Sequence, residues 1–432
     1  MELGTAATGI GYFLVAWYTF MFLLSLLGQY VCQTRYTRKP KPVSPKLGAD
    51  APGVSIIRPL KGVDLELADN LRSSFEQQYP KFEIIFSVAS ADDPAVPIVE
   101  QLMKEYKSVG SRLIIGDQPV GINPKINNIV TSYKTAKYDI LWVLDSNVHV
   151  DSNTLGRSVD QLLEPGIGLV HHLPVAMQPA SYAAELEHIF LDTNHAKMYL
   201  AINQVAVASC IMGKSNLYRR SDLDRVGGLA AFAQYMAEDN IIGEALWHQG
   251  LRHRMSADTA CQMLGDISPM EYCRRRARWV RLRKYIVTAA TLTEPFTESI
   301  VCGLMGATGA HILFGWPVAR FFALHWLLWF INDYFIYKTL VSSASYSKRR
   351  GRPHSRLDLW RFIRAWLSRE ILALPLYLYA MFGTEITWRG QKYRCLRDGT
   401  AAAISKDLSP DAACEYTQVS VAVSPNDKDK AH

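Results

Sequence analysis

The chain has 432 residues, 49% of them hydrophobic, enough for one large domain or two with a substantial core. Its formal charge is +7, but the Lys and Arg clusters come with no recognisable nucleic-acid motif, so no nucleic acid is expected as a partner. Seven widely spaced cysteines with no Cys-x-x-Cys pair fit neither a zinc site nor a disulfide framework.

No charge occurs between Leu3 and Thr34, a stretch longer than the roughly 20 residues that cross a bilayer. Glu2 precedes it, and neither a basic n-region nor a small-residue cleavage site accompanies it, so residues 1–34 read as a retained anchor. Arg35, Arg38, Lys39, Lys41 and Lys46, interleaved with Pro40, Pro42 and Pro45, make 35–52 a basic linker. Basic flanks favour the cytosolic side, which puts the amino terminus in the lumen.

Strand-like and helix-like segments then alternate to about Ala257, which predicts an α/β domain over 53–268. VSIIRPL (54–60) and FEIIFSVA (82–89) read as strands, each followed by a helix, LELADNLRSSFEQQ and PAVPIVEQLMKEY. RLIIG, a helix over 124–136 and the apolar run Asp139 to Leu144 follow. The last reads as a buried central strand of a parallel sheet. It delivers Asp145, Ser146 and Asn147 to its carboxyl end, the edge at which open α/β sheets bind ligands. The second half is less regular. It offers a strand over 168–174, a helical pattern from Tyr182 to Ile202, the segment VASCIMGKSNLYRR and a helix from Asn240 to Gln249. His171 and His172, beside Pro174, suit a core or surface role.

From Pro269 the character changes. MEYCRRRARWVRLRKYI sets Arg and Lys around Tyr272, Trp279, Val280 and Ile286, the pattern of a helix at headgroup level, and 269–298 reads as interfacial. Residues 299–398 read as a membrane region. Ser299 to Ala319 carries no charge and Phe321 to Tyr337 only Asp333, so two spans are expected with a tight turn at Arg320. The basic KRRGRPHSR (348–356) returns the chain to the cytosol. Leu357, Trp360, Ile363 and Leu367 against Arg356, Arg361 and Arg364 predict another interfacial helix. The run Ile371 to Gly383, with Pro375, is short for a span. The polar tail, 399–432, is expected to be disordered.

Four clusters fall at strand ends or helix starts. Asp92-Asp93 before Pro94 suits a helix N-cap, or contacts to a uracil N–H and ribose hydroxyls. GINPKINN (121–128) sets Lys125, Asn127 and Asn128 at a helix N-terminus, an anion-binding arrangement built from common turn residues. Asp145 suits a divalent metal, Mn2+ or Mg2+, that also holds a diphosphate, or equally an Asx turn. Glu238-Asp239 suits a general base facing an acceptor, or an N-cap. Arg58 and Lys61, late in and after the 54–60 strand, join the substrate-binding candidates.

Together with Arg275-x-x-Arg278-Trp279, these clusters follow the order of the D, D, D, (Q/R)xxRW signature. The chain therefore resembles the GT-A glycosyltransferases, most tightly the ceramide glucosyltransferase family, over about Pro52 to Arg397. GINPKINN, AFAQYMAED and WRGQKYR look like that family's own blocks. The resemblance implies a GT-A type nucleotide-sugar-binding domain with N-terminal and C-terminal transmembrane helices. It implies Asp92 or Asp93 at the nucleoside, Asp145 at the metal and diphosphate, and Asp239 at the acceptor hydroxyl. Arg275, Arg278 and Trp279 would close over the diphosphate and acceptor, with His195 near the acceptor. Asn147 stands where many relatives carry a second aspartate, leaving one protein carboxylate for the metal. The implied reaction is inverting transfer of glucose from UDP-glucose to the primary hydroxyl of ceramide. It would take place on a multi-pass Golgi protein whose catalytic domain faces the cytosol across the lipid bilayer. Rival readings are another lipid acceptor, a processive polysaccharide synthase, for which the spans are few, and a non-catalytic scaffold, which leaves the co-occurring motifs unexplained.

Overall fold

A computed structural model of the chain describes residues 4–344, 356–388 and 390–404. The first half runs α1 (Thr5–Thr37), β1 (Val54–Leu60), α2 (Leu67–Phe75), β2 (Phe82–Val88), α3 (Val96–Glu105), β3 (Ser111–Ile115), α4 (Pro124–Thr135) and β4 (Ile140–Leu144). β1 pairs in parallel with β2 and β4, and β2 with β3. Alternate residues point to opposite faces, and both faces are covered. Ile56, Ile84 and Trp142 enter one core, while Ile57, Ile85 and Leu141 enter the other. That two-sided burial makes these strands continuous apolar runs, each buried Ile or Leu contributing roughly 1.5–3 kcal/mol.

The next elements are β5 (Val148–His149), α5 (Thr154–Leu162), β6 (Ile167–Pro179), α6 (Tyr182–Phe190), a π-helical turn (Leu191–His195), α7 (Ala196–Val205), β7 (Ser215–Arg219), α8 (Arg220–Asp224), α9 (Glu238–His248) and β8 (Arg252–Gly265). They extend the sheet to the order β3-β2-β1-β4-β7-β6-β8-β5. β5 starts just after β4 ends yet pairs with β8 at the far edge, so the sheet curls and the 145–147 loop sits at the mouth of the curl. β8 is absent from the sequence expectation because polar residues interrupt its pattern. Asp258 is nonetheless fully buried, taking Arg157 Nε at 2.6 Å and Lys39 Nζ at 3.1 Å. His171 and His172 are core residues as expected; His172 lies between the hydroxyls of Ser158 (2.9 Å) and Ser215 (2.8 Å).

The basic 35–52 segment is docked. Arg35 donates to Gln204 Oε1 at 2.8 Å, and the backbone N–H groups of Val43 and Ser44 donate to Asp160 at 2.6 and 2.7 Å. Among the described residues α1 is the one helix long and apolar enough to cross a membrane. Its last turns leave that stretch: Val31, Cys32 and Tyr36 pack on β6, β8 and α7.

The C-terminal region is α10 (Pro269–Ile286), α11 (Thr288–Thr293), α12 (Ser299–Phe314), α13 (Val318–Ser343), α14 (Leu359–Met381), β9 (Glu385–Trp388), β10 (Gln391–Cys395) and β11 (Ala401–Ala403). Four expectations need correction. The turn expected at Arg320 lies earlier, where Gly315 (φ +68°) ends α12 and Pro317 precedes α13, and Arg320 is inside α13. At about 1.5 Å per residue α12 spans only about 24 Å, short of a bilayer core. The interfacial pattern and the Ile371 run form one helix, α14, with Pro375 inside it. Part of the tail expected to be disordered is a strand: β11 pairs with β10 and β10 with β9, and this sheet packs on Met236, Leu282 and Tyr285. The rest of that tail, 405–432, and the basic cluster up to Ser355 lie outside the described residues.

α12 lies close against α1 because glycines face each other's helix. A Cβ on Gly306 would fall 2.5 Å from the Tyr18 ring, and one on Gly309 2.9 Å from Leu14 Cβ.

Candidate active site

β7 runs antiparallel to β4 with Ser215 opposite Leu144, so the residue before β7 meets the residue after β4. Those residues are Lys214 and Asp145. The Asp145 N–H donates to Lys214 O at 3.1 Å, and Lys214 Nζ donates to Asp145 Oδ2 at 3.0 Å. Lys125, from the first turn of α4, reaches Asp145 Oδ1 at 3.1 Å and Glu238 Oε1 at 3.0 Å. Burial pushes the Asp145 carboxyl up, but the two ammonium groups outweigh it and hold the group at about 2. Lys125 is the mirror case: burial lowers it, and Asp145, Glu238 and Asp239 together raise it well above the usual lysine range. Lys214 had no signal in the sequence, since its place depends on the antiparallel register.

Glu238 and Asp239 open α9. The loop before them is laced to GINPKINN: Asn123 N–H donates to Ala233 O at 2.8 Å, and Asn123 Nδ2 to Glu238 Oε2 at 2.8 Å and Tyr235 O at 2.7 Å. Asn123 also caps α4, its side-chain oxygen accepting from the Lys125 and Ile126 N–H groups. Burial, then the neighbouring Glu238, raise the Asp239 carboxyl to about 7, with Lys125 opposing. A carboxylate poised there can take a proton at neutral pH. A Cβ on Gly213 would lie 2.6 Å from Asp239 Cγ, so Gly213→Ala must displace the carboxylate. A shift of about 1 Å is expected to cost on the order of 100-fold in kcat. Unchanged turnover in a folded Gly213→Ala protein would show that Asp239 is not held by this contact.

The remaining candidates divide by depth. Arg58 is fully buried and donates to Ser146 O (3.2 Å) and Val148 O (3.2 Å), fixing the 145–148 loop from beneath. Burial lowers its guanidinium to about 9. Asn128 ties β1 to β2 through Leu60 O (3.2 Å) and Ser87 O (3.1 Å). Asn127 Oδ1 accepts from Val120 and Gly121 N–H, both at 3.1 Å. These three shape the cleft. Asp93 receives the Gly62 N–H at 3.0 Å and that of Ala95 at 2.9 Å, so it pins the two strand-end loops together, while Asp92 and Lys61 are exposed.

The α10 motif splits between two surroundings. Arg275 Nε lies 2.9 Å from Glu187 Oε1, within electrostatic reach of Lys214. Trp279 packs against Phe190 (6.0 Å) and His195 (5.8 Å), with the Arg276 guanidinium 4.1 Å from its ring. His195 comes from the π-helical turn and stacks on Tyr199 at 5.1 Å; burial, then Arg276 and Arg283, lower it to about 3. It is neutral at physiological pH and suits a hydrogen-bonding role. Arg278 instead lines a cleft shared with the end of α14 and the β9–β10 hairpin.

Among the described residues no three His, Cys, Asp or Glu side chains converge as a metal site. Both Asp145 oxygens take a lysine, and Asn147 Oδ1 lies 3.5 Å from Lys214 Nζ. These donors are too few for the oxygen-rich shell of Mg2+ or Mn2+. A cation fits Asp145 only when a diphosphate brings the other oxygens and a lysine gives way.

The profile of Glycosyl transferase family 21 matches residues 18–402. A ceramide glucosyltransferase of Komagataella phaffii is 37% identical, the match covering 88% of this chain and 89% of that one. One of Candida albicans is 32% identical over 93% and 99%. A solved mannosyltransferase of Pyrobaculum calidifontis, in complex with GDP-Man and Mn2+, is 18% identical with a TM-score of 0.47, covering 78% of this chain and 98% of that one. That likeness is too low to carry any detail of the site.

Proposed function

The chain belongs to glycosyl transferase family 21, and on that premise we propose that it transfers glucose from UDP-glucose to the primary hydroxyl of ceramide with inversion. The observation that carries the chemistry is Asp239, poised to titrate near neutrality and electrostatically coupled to Lys125, which with Lys214 also holds Asp145. The relatives named for ceramide support the acceptor. As the ceramide oxygen bonds to the anomeric carbon, its proton passes to Asp239 and the bond to the UDP oxygen breaks on the opposite face. Charge then grows on the β-phosphate, where Lys125, Lys214 and Arg275 are the available cations. His195 and Trp279 would bound the acceptor side.

A divalent cation bound with the donor would add charge neutralisation at the diphosphate. Because the protein supplies one carboxylate, Mn2+ is expected to bind the ligand-free chain only weakly and to bind far more tightly once UDP is present. Loss of the free Mn2+ spin-resonance signal measures this. Tight binding without UDP would mean a resident metal site.

Ceramide stays in its leaflet, since withdrawing its chains costs about 0.8 kcal/mol per CH2. Exposed apolar side chains on α1 (Phe13, Phe20, Leu23) and α13 (Leu324, Leu327, Leu328) suit lipid contact, which supports a multi-pass seating that includes the C-terminal helices. The basic residues after α1 support a cytosolic catalytic face, and Golgi placement follows the family resemblance. Sealed, right-side-out Golgi vesicles carrying the chain, given labelled UDP-glucose and ceramide, should form β-glucosylceramide without detergent. A different product by mass spectrometry would overturn the reaction. A need for detergent would overturn the cytosolic face.

A further inference from the structure

Arg278 lines a cleft of about 230 Å³ together with Arg274, Arg281 and Lys392, and with Glu385 as the one acid. We infer that this cleft binds the phosphate of an anionic phospholipid from the leaflet in which the chain sits. The inference rests on the membrane seating proposed above.

The floor of the cleft is built by Arg281 at the C-terminus of α14. Its Nε donates to Ala380 O at 3.2 Å and its Nη1 to Glu385 O at 2.6 Å; Lys284 adds bonds to Met381 O (3.1 Å) and Gly383 O (2.7 Å). These cations cap the end of the helix. Gly383 permits the approach, since a Cβ there would collide with the Arg281 guanidinium. The rim is different. Arg274 and Lys392 are exposed, and Lys392 has no carboxylate partner among the described residues. Glu385, the one acid in the lining, already has Arg394 at 3.4 Å, and Glu271 lies within electrostatic reach of Arg274 on the rim. Four cations against one lining acid leave the cleft a positive surplus, and the exposed Arg274 guanidinium is a fork of the shape that matches phosphate.

Its position selects a lipid. Ile371, Leu374, Leu378, Tyr379 and Phe382 fall on one face of α14 and its last turn, and all are exposed, Phe382 at 89%. That apolar stripe runs into the cleft, as acyl chains leading to a headgroup would. A zwitterionic lipid would bring its own cation against the same arginines, so an anionic headgroup is preferred.

The test uses the full chain in neutral detergent, titrated with a fluorescent phosphatidic acid. Arg274→Gln/Lys392→Gln is expected to bind roughly ten- to thirtyfold more weakly than the parent, the effect of two basic residues at a lipid surface. Equal affinities would overturn the site. Competition by millimolar inorganic phosphate would make it a free-anion site and overturn the lipid assignment, whereas failure to compete supports it. Glucosyl transfer in purely zwitterionic nanodiscs, where the variant should match the parent, separates this inference from the proposed reaction. If the parent makes no β-glucosylceramide there, the reaction has failed, and the binding result stands by itself.

Discussion

Asp239→Asn is expected to cut turnover by roughly 10²–10⁴, the range for a lost general base, while UDP-glucose binding stays near the parent's. Asn has nearly the same shape, so the loop laced through Asn123 and Glu238 should persist. The pH dependence adds a second signature. Burial and Glu238 raise the Asp239 carboxyl to about 7, so below that pH the base is protonated and idle. In the parent, kcat/KM should therefore fall about tenfold per unit as pH drops below about 7, and the residual activity of the variant should lose that limb. The stability effect has the opposite sign. The folded pKa lies above the unfolded Asp value of about 3.9, so ionising Asp239 destabilises the fold as pH rises from about 4 through about 7. Asn removes that cost, and the variant should melt no lower than the parent at neutral pH. Near-normal turnover, or an acid limb that survives in the variant, would remove Asp239 from the base role.

The legible and the hidden parts of the site differ by how local their causes are. β1, β2 and β4 are buried on both faces, so their apolar runs were visible residue by residue, and each carried its polar cluster to the same sheet edge. Asp145 is legible that way. Lys214 is not, because it meets Asp145 only through the antiparallel register of β7. β8 was hidden because Asp258 is buried by partners distant in sequence, Arg157 and Lys39. The RxxRW motif was visible as a string. Its division, with Trp279 against His195 and Arg278 toward α14, depends on which helix covers which face of α10. The three C-terminal strands are too short to show a period and are held by Met236 and Tyr285 from elsewhere.

The division also locates the control of Asp239 outside its own helix. Lys125 is the shared counter-charge of Asp145, Glu238 and Asp239, and it comes from the GINPKINN turn. Lys125→Met, similar in length but uncharged, should act twice. It removes an ammonium from the developing diphosphate charge, and it removes the opposing charge that keeps Asp239 from rising further. Losing one partner of a half-buried ion pair with hydrogen bonds costs up to about 3–5 kcal/mol, less where solvent reaches it. Lys214 remains on Asp145 and Asn123 on Glu238, so the fold should survive. Turnover at pH 7 is expected to fall by about 10²–10³, at 1.4 kcal/mol per factor of ten. The acid limb of kcat/KM should move to higher pH, so that raising the pH recovers part of the loss in Lys125→Met but none in Asp239→Asn. The decisive measurement is the pair of pH profiles. A Lys125→Met enzyme that is slow but keeps the parent's acid limb would confine the lysine to the diphosphate and leave Asp239 tuned by burial and Glu238 alone.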